Sequence, residues 1–204
     1  PENLRFLQHE NLVFYAKDAW DIEYNFPTGF DELEGVHDRS DYDLNQHMKH
    51  SGTDLRYTDP SSGEKYIPWI LETSVGMGRM FLAFLSDAYS EETKEDDTRV
   101  FLKLSPKLSP IKAAIFPLLR NKPELVSKAK EVYDSLKKEL KCEFDDNGNI
   151  GKRYRRQDEI GTPFCIVIDF DTLTDDSVTV RDRDNGTQER IKVSELSSFI
   201  KSKI

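Results

Sequence analysis

Residues 70–85 read ILETSVGMGRMFLAFL, and this stretch decides the architecture of the first half of the chain. An apolar run that ends at Leu71 predicts a strand, with the carboxylate of Glu72 at the rim of its sheet. Two glycines, Gly76 and Gly78, then open a helix. The apolar residues of that helix recur at spacings of four, three and four, which predicts one buried stripe: Met77, Phe81, Phe84 and Ala88. The glycines and the positive start of the helix favour the close approach of an anionic ligand.

The charges of Glu72 and Arg79 leave two interpretations open. An arginine in the first turn of a helix opposes the helix dipole, so an anion is expected beside Arg79. That anion is either a phosphate or carboxylate of a ligand, or an acidic side chain in a surface salt bridge. Glu72 lies at the end of the predicted strand, where ligands commonly bind. Together the two residues predict an anion-binding helix start beside a carboxylate.

An acidic strand precedes this stretch, from Phe30 to Val36. Since alternate residues of a strand share a face, Glu32 and Glu34 are expected on one face and Leu33 on the other, in the core. Acidic strand faces are usually solvated. The functional alternative is a floor that binds a small cation, such as the ammonium group of an amino acid. Spacing alone does not rank Glu32 against Glu34.

The segments on either side complete the prediction for the first half. Residues 4–24 are expected to be helical, with the turn at residues 27–29 ending the helix. The apolar positions that indicate this helix are spaced by seven, three and four: Phe6, Val13, Ala16 and Trp20. Residues 90–98 are expected to form a charged loop. The Ser-Pro pairs within residues 105–110 then mark a domain boundary, at 105–109.

Strand and helix alternate after that boundary. Pro123 begins an amphipathic helix, residues 150–160 form a basic helix, and a hairpin turns at residues 184–186. This order predicts a mixed sheet covered by helices. The predicted fold class is therefore α/β. An α+β domain with an antiparallel sheet spans residues 1–104, and an α/β domain with a mixed sheet spans residues 110–204.

Composition narrows the classes of function. The chain has 204 residues and a net charge of -9. Residues 1–109 hold 11 Lys and Arg against 21 Asp and Glu, whereas residues 110–204 hold 18 against 17. This asymmetry predicts two modules with different partners. No apolar run reaches the ~18 residues that a membrane span needs. Two cysteines favour a reducing compartment, the cytoplasm, and four histidines show no zinc-type spacing.

A basic run with an aromatic residue inside it marks the second module: Lys152, Arg153, Tyr154, Arg155 and Arg156. Such a run can pair with phosphates and stack on a base, as RNA-binding surfaces do. A solvated helix with ion pairs to Asp158 and Glu159 is the alternative. Arg181 and Arg183 of the predicted hairpin are secondary candidates for the same partner.

Three blocks of sequence carry a resemblance to one enzyme family. Residues 27–44, PTGFDELEGVHDRSDYDL, resemble the segment after motif 2 of glycyl-tRNA synthetases. Residues 70–85 resemble motif 3 of class II aminoacyl-tRNA synthetases, whose arginine contacts ATP. Residues 145–164, DDNGNIGKRYRRQDEIGTPF, and 178–191, VTVRDRDNGTQERI, resemble the anticodon-binding domain of the same enzymes. Nearly the whole chain thus resembles the C-terminal part of a class II synthetase that charges glycine.

The resemblance implies roles for named residues. Glycine would be bound by two carboxylates and a pocket too small for a side chain: Glu32, Glu72, Thr73, Ser74, Val75 and Gly76. ATP would contact an overlapping set, in which the arginine neutralises phosphate charge: Glu32, Leu33, Gly76, Met77, Gly78 and Arg79. The tRNA would contact the second module: Lys152, Arg153, Tyr154, Arg155, Arg156, Arg181 and Arg183. The family pattern, and not the spacing, prefers Glu32 to Glu34.

The resemblance also implies the activity of a glycine–tRNA ligase. Glycine and ATP, with Mg²⁺, would give glycyl-adenylate, and glycine would then pass to tRNA(Gly). The short interval between Leu44 and Tyr66 favours the compact, bacterial-type homodimer. Motifs 1 and 2 do not appear, so the chain alone is not expected to activate glycine. Two alternatives stay open: a non-catalytic, nucleic-acid-binding relative such as the accessory subunit of mitochondrial DNA polymerase, and an RNA-binding protein built on residues 110–204.

Overall fold

Antiparallel strands open the chain, which divides into two units at residues 1–86 and 87–204. The structure, a computed structural model, describes residues 2–94 and 97–204. Residues 95–96, inside the predicted charged loop, lie outside the described residues. The predicted fold class is confirmed, because the first unit has an antiparallel sheet and the second a mixed sheet, each with helices.

The first unit is built on one antiparallel sheet. Its elements are β1 (Leu4–Gln8), β2 (Asp18–Phe26), β3 (Gly29–Asp38), α1 (Tyr42–Ser51), β4 (Tyr57–Thr58), β5 (Lys65–Tyr66), β6 (Leu71–Val75) and α2 (Met77–Ala88). Strands β1, β2, β3 and β6 lie side by side in that order. Helix α1 and the β4–β5 hairpin connect β3 to β6, and α2 follows β6 directly.

The prediction of a helix over residues 4–24 is wrong, because β1 and β2 occupy this segment. Strand β2 reads DAWDIEYNF, in which every second residue is apolar: Trp20, Ile22, Tyr24 and Phe26. That period of two indicates a strand, and it outweighs the looser helical spacing that linked Trp20 to the preceding loop. Gly29 has a φ of 106° in the turn to β3, a conformation that favours glycine.

A β-bulge at Leu33 corrects the predicted orientation of the two glutamates of β3. Glu23 pairs with Glu32 and Ile22 pairs with Glu34, so Leu33 is an extra residue without a partner in the ladder. Paired residues share a face of the sheet, whereas the neighbours Ile22 and Glu23 point to opposite faces. Glu32 and Glu34 therefore lie on opposite faces, and the prediction of a shared face is wrong.

Helix α2 packs on the face of the sheet that carries Tyr24 and Phe26. Ala83 is buried against these two rings, because its small side chain lets the helix approach the sheet closely. Leu33 joins the same cluster, which confirms the prediction that this side chain faces the core.

The predicted apolar stripe of α2 is exposed over most of its length. Ala88 is buried, but Met77 is 87% exposed and Phe81 is 65% exposed. The buried side runs instead through Ala83, one position before the exposed Phe84. Because α2 is apolar on more than one side, helical spacing identifies the helix but not the side that faces the sheet.

The strand predicted from Tyr66 to Leu71 is displaced along the chain. Strand β5 ends at Tyr66 and β6 begins at Leu71, so Glu72 is the second residue of β6 rather than the end of a strand. Residues 59–63 form the turn between β4 and β5. Gly52 ends α1 in a left-handed conformation with a φ of 71°.

The second unit is built on a mixed sheet. Its elements are β7 (Tyr89–Lys94), β8 (Asp97–Leu102), β9 (Ala113–Pro117), α3 (Pro123–Leu136), β10 (Cys142–Phe144), α4 (Ile150–Glu159), β11 (Phe164–Ile168), α5 (Thr172–Asp175), β12 (Ser177–Asp182), β13 (Gln188–Lys192), a 3₁₀ turn (Val193–Glu195) and α6 (Leu196–Lys201). The sheet order is β10-β9-β11-β12-β13. Pairing is parallel between β10, β9 and β11, and antiparallel from β11 to β13. Helices α3 and α6 cover one face and α4 covers the other.

The charged loop predicted at residues 90–98 is instead the β7–β8 hairpin. Its charged composition indicated exposure, which does not fix the conformation of the backbone. Arg99 of β8 contacts Asp158 of α4 at 2.8 Å, so the hairpin belongs to the second unit. For this reason the division between the units, after Ser86, falls earlier than the boundary predicted at residues 105–109.

Candidate functional site

Three of the predicted glycine-binding side chains lie on one face of the first sheet. Because paired residues share a face, the registers of β2, β3 and β6 place three residues on that face: Glu32, Glu72 and Ser74. We call this the acidic face. The opposite face, on which α2 packs, carries two other predicted residues, Thr73 and Val75, together with Glu34, which was not assigned to the pocket. The bulge at Leu33 is what separates Glu32 from Glu34.

Two further carboxylates of the acidic face, Asp21 and Glu23, were missed by the sequence prediction. Both lie on β2 and are buried. His9 contacts Asp21 at 2.9 Å, and Arg5 forms an ion pair with Glu23. The wrong helix prediction concealed them, although the polar positions of β2 alternate with its apolar ones. Four carboxylates therefore lie on this face, and each has a basic side chain beside it.

The carboxylate of Glu72 has a fixed partner in Arg39. Nη1 of Arg39 donates to Oε2 of Glu72 at 2.6 Å, and Nη2 donates to Oδ1 of Asp43 at 2.9 Å. The hydrogen bonds to Asp43 and Glu72 raise the pKa of Arg39, and the bond from Arg39 lowers the pKa of Asp43. An open pocket of about 470 Å³ lies beside these three side chains and is also lined by Leu44, His47 and Ile70.

Arg79 lies next to Glu32, and both residues belong to the set that was predicted to contact ATP. Its guanidinium donates to the main-chain carbonyl of Glu32, and Nη1 is 3.5 Å from the Glu32 carboxylate. Nη2 is 3.4 Å from the carboxylate of Asp31. Acidic side chains therefore supply the anion that the position of Arg79 required. These ion pairs are exposed, so solvent weakens them and a phosphate could replace them at little cost.

Gly76 and Gly78 leave open space at the start of α2. A Cβ at either position would meet no atom within 4 Å, and neither glycine has a positive φ. The backbone itself therefore does not require glycine at these two positions. The carbonyl of Gly76 accepts a hydrogen bond from the amide of Met80 at 2.9 Å, so the helix begins here. Open space over a helix start suits the close approach of an anion.

Arg153 lies in the interior of the second unit, which corrects the prediction that it contacts tRNA. Its side chain is 1% exposed, and burial lowers the pKa of its guanidinium. The N–H groups donate to main-chain carbonyls at the end of β9 and in the β10–α4 loop: Pro117, Asp146, Asn147 and Gly148. Arg153 therefore organises this loop and has no exposed donor for a nucleic acid.

The two arginines of the β12–β13 hairpin also form contacts within the second unit. Arg183 is 1% exposed and donates to the carbonyls of Gly161 and Leu104, both at 2.7 Å. Arg181 contacts the buried carboxylate of Asp158 at 3.1 Å. These contacts hold the second unit together, so neither arginine fits the predicted role in binding tRNA.

The sequence predicted that Tyr154 stacks on a base, but its ring packs inside the second unit. The guanidinium of Arg181 lies 4.8 Å from the centre of its ring, and the ring of Phe116 packs edge-on at 5.7 Å. Burial raises the pKa of Tyr154 to about 12. This ring is part of the packing between α4 and the sheet.

Three basic residues of α4 keep an outward position. Lys152 and Arg155 are exposed, and Arg156 is partly exposed. Arg156 donates to the carboxylate of Asp145 at 2.9 Å and to the carbonyl of Asn147 at 2.7 Å. The candidate nucleic-acid surface is therefore narrower than predicted, and it consists of Lys152, Arg155 and Arg156.

The side chains that could bind a metal ion are not clustered in the part of the chain that the structure describes. There, no three His, Cys, Asp or Glu side chains are grouped so that they could hold a metal ion. Within the same residues, no helix has the length and apolar character to cross a membrane. Cys142 and Cys165 are free, and burial raises their pKa values to about 11 and about 12, so neither is a thiolate at neutral pH.

Known proteins match the chain over its whole length. Residues 112–203 match the family model described as "Anticodon binding domain". The whole chain is 54% identical to the glycine–tRNA ligase of Clostridium acetobutylicum and 52% identical to that of Caldanaerobacter subterraneus subsp. tengcongensis. The identity to the glycine–tRNA ligase of Chlorobaculum tepidum is 48%. The resemblance to the glycyl-tRNA synthetases is confirmed. The chain spans 44%, 44% and 43% of the lengths of these three relatives.

The likeness to the glycyl-tRNA synthetases agrees with the architecture. A solved structure of the prolyl-tRNA synthetase of Giardia lamblia, in complex with prolyl-adenylate, superimposes with a TM-score of 0.66. The superposition covers 96% of this chain and 39% of the prolyl-tRNA synthetase chain, at 19% sequence identity. At this level of identity the comparison shows that the fold is shared. The chain thus shares the fold of the corresponding part of that prolyl-tRNA synthetase.

Proposed function

We propose that the chain is the C-terminal part of a glycine–tRNA ligase, which forms glycyl-adenylate from glycine and ATP and transfers glycine to tRNA(Gly). One observation carries this proposal: Glu32, Glu72 and Ser74 lie on the same face of the sheet, the acidic face, and Ser74 comes two residues before Gly76 at the glycine-rich start of α2. Identities of 48% to 54% with glycine–tRNA ligases support glycine as the substrate. We also propose a homodimer, on the basis of the short interval between Leu44 and Tyr66, and a cytoplasmic location, on the basis of the two cysteines.

Glycine offers an ammonium group and a carboxylate, with no side chain to recognise. Glu32 and Glu72 would bind the ammonium group through charge-assisted hydrogen bonds, and Ser74 would add a hydroxyl oxygen. Thr73, Val75 and Gly76 would contribute through their main chain, since the side chains of Thr73 and Val75 lie on the opposite face of the sheet. Selection for glycine then rests on a steric clash between the pocket and the side chain of any larger amino acid. Such a clash can discriminate more strongly than the apolar contacts by which a pocket prefers a larger side chain to a smaller one.

ATP, bound with Mg²⁺, would lie along the start of α2. Arg79 would neutralise phosphate charge there, in exchange for its exposed ion pairs with Asp31 and Glu32. The same edge would include the remaining predicted residues, Gly76, Met77 and Gly78, together with the main chain of Leu33, whose side chain faces the core. The contribution of these groups to catalysis is the positioning of two substrates and the neutralisation of charge on the transferred carboxylate and phosphate.

Titration calorimetry of the full-length protein with a glycyl-sulfamoyl-adenosine analogue tests the proposed substrate. We expect nanomolar binding, since the analogue occupies the amino-acid and nucleotide sites together. The alanyl analogue is the matched ligand, and we expect it to bind at least about 100-fold more weakly, because its methyl group clashes with the pocket wall. No binding of either analogue would contradict the proposal and favour a non-catalytic relative.

We propose that the second unit binds the anticodon arm of tRNA through the exposed side of α4. The match of residues 112–203 to an anticodon-binding domain supports this assignment. Lys152, Arg155 and Arg156 would contact phosphates, a contact that positions an RNA without reading its bases. Arg153, Arg181 and Arg183 would act indirectly, by holding the loop and strand that border this surface.

Replacement of Lys152 and Arg155 by alanine is expected to weaken tRNA binding by about tenfold at physiological salt and to reduce the salt dependence of the affinity. Filter binding measures the affinity, and ATP–pyrophosphate exchange, which needs no tRNA, is expected to stay unchanged. Lys138→Ala with Lys141→Ala is the control, because it removes the same charge from the segment that follows α3. Equal losses in both double variants would show that net charge, and not the surface of α4, governs binding.

A further inference from the structure

Arg39 is bound on every side of its guanidinium group, at the edge of the acidic face. Nη1 donates to Glu72, and Nε and Nη2 both donate to the carboxylate of Asp43. The ring of Tyr15 lies against the guanidinium plane, with 4.3 Å between Cζ and the ring centre. A forked ion pair combined with stacking holds an arginine in one orientation. The guanidinium group of Arg39 is therefore fixed by its neighbours.

The main chain around Arg39 is anchored as firmly. The amide of Arg39 donates to the carbonyl of Ile70 at 2.9 Å, and the amide of Ile70 donates to the carbonyl of Ser40 at 2.8 Å. Ser40 has a φ of 47°, an unfavourable conformation for a serine, and its amide donates to the side chain of Asp38. These bonds tie the end of β3 to the residue just before β6, on which Glu72 lies.

We propose that Arg39 is a positioning residue for the amino-acid pocket. It holds Oε2 of Glu72, so that the other carboxylate oxygen is presented to the ammonium group of glycine in a fixed place. This inference rests on the proposed function. A glutamate that rotates freely loses conformational freedom each time a ligand binds, and a fixed partner removes that cost. The effect of Arg39 therefore belongs to the affinity for glycine and not to the affinity for ATP.

Direct contact between Arg39 and the carboxylate of the substrate is the competing role. All three guanidinium nitrogens already donate to Glu72 or Asp43, and Tyr15 covers one face of the plane. A substrate carboxylate would have to displace one of these partners, which would release the glutamate that binds the ammonium group. The geometry therefore favours an action of Arg39 through Glu72.

Arg39→Met in the full-length protein tests this role by steady-state ATP–pyrophosphate exchange. We expect the KM for glycine to rise about tenfold or more, as when an outer partner that orients a ligand is removed. The KM for ATP is expected to change less than about twofold, because Arg79 and the start of α2 are untouched. Arg39→Lys keeps the charge but loses the fork, so we expect an intermediate KM for glycine. Arg56→Met is the control, since Arg56 pairs with Asp54 at 2.8 Å on an exposed segment.

Asp43→Asn gives a second, milder measurement in case Arg39→Met does not fold. It loosens Arg39 without touching Glu72, and we expect a smaller rise in the KM for glycine with the KM for ATP unchanged. An unchanged KM for glycine in all three variants would overturn the role of Arg39, as would equal rises for both substrates. Either result leaves the proposed function intact, because wild-type exchange still depends on glycine. Absence of glycine-dependent exchange in the wild type would instead overturn the proposed function.

Discussion

Glu72→Gln in the full-length protein is expected to lower kcat/KM for glycine by about 100-fold in ATP–pyrophosphate exchange. The substitution keeps the shape of the side chain and removes its charge. An ion-paired hydrogen bond to an ammonium group contributes about 1.5–3 kcal/mol, and the upper end of that range corresponds to a factor of about 100. The amide also cannot accept from Arg39 with the same strength, which adds to the loss.

Glu34→Gln is the matched control for this prediction. Glu34 lies on the neighbouring strand, but the bulge at Leu33 turns it to the face on which α2 packs. The same chemical change is therefore expected to alter kcat/KM for glycine less than about twofold. If Glu34→Gln and Glu72→Gln cost the same, the acidic face would not be the glycine pocket. The comparison also tests the bulge, because an unbroken strand would present both Glu32 and Glu34 to the ligand.

Arg153→Met is expected to lower the free energy of unfolding of the second unit by about 3 kcal/mol. The arginine is buried, and its removal leaves several main-chain carbonyls without their donor, including the carbonyl of Pro117 at a buried position. Methionine fills most of the volume, so the loss reports the hydrogen bonds rather than a cavity. If Arg153 instead faced tRNA, its replacement would leave the stability almost unchanged.

The cysteines and the tryptophans lie in different units, so the stability of the second unit can be measured separately. Cys142 and Cys165 both lie in that unit, so the labelling of the buried Cys165 thiol in rising urea reports its unfolding. Trp20 and Trp69 both lie in the first unit, and their fluorescence reports that unit instead. Lys152→Met, on the exposed side of α4, is the control and is expected to change the stability by less than about 0.5 kcal/mol.

The sequence predicted the second unit better than the first, for a physical reason. Strands β9 and β11 are continuous apolar runs, and helix α3 begins at Pro123, so the local signals agree with the tertiary structure. In the first unit, β1 and β2 were predicted as a helix. Helical spacing was counted across the loop before Trp20, whereas the period of two in β2 covers a single element.

The candidate site was predicted only in part, because its geometry depends on strand register. Glu32, Glu72 and Ser74 were named from the sequence, but their shared face follows from a bulge that no local pattern announces. Arg39 was not singled out at all, since its role depends on Glu72, which lies 33 residues further along the chain. Contacts at such separations are a property of the fold.

The basic residues of the second unit show a different limit. Lys152, Arg153, Arg155 and Arg156 are adjacent in sequence and chemically alike, yet Arg153 is buried and the others point outward. Helical periodicity allows one such residue to face the sheet, but a charged residue is the last type expected there. Main-chain carbonyls that need donors explain its burial, and a sequence does not reveal where those carbonyls are.

ATP–pyrophosphate exchange by the full-length wild-type protein, with each small amino acid supplied in turn, tests the central claim most directly. Glycine is the only amino acid expected to support rapid exchange, and alanine and serine are expected to fall at least about 100-fold below it in kcat/KM. Exchange that alanine supports as well as glycine, or no exchange with glycine at all, would contradict the assignment of the acidic face as a glycine pocket.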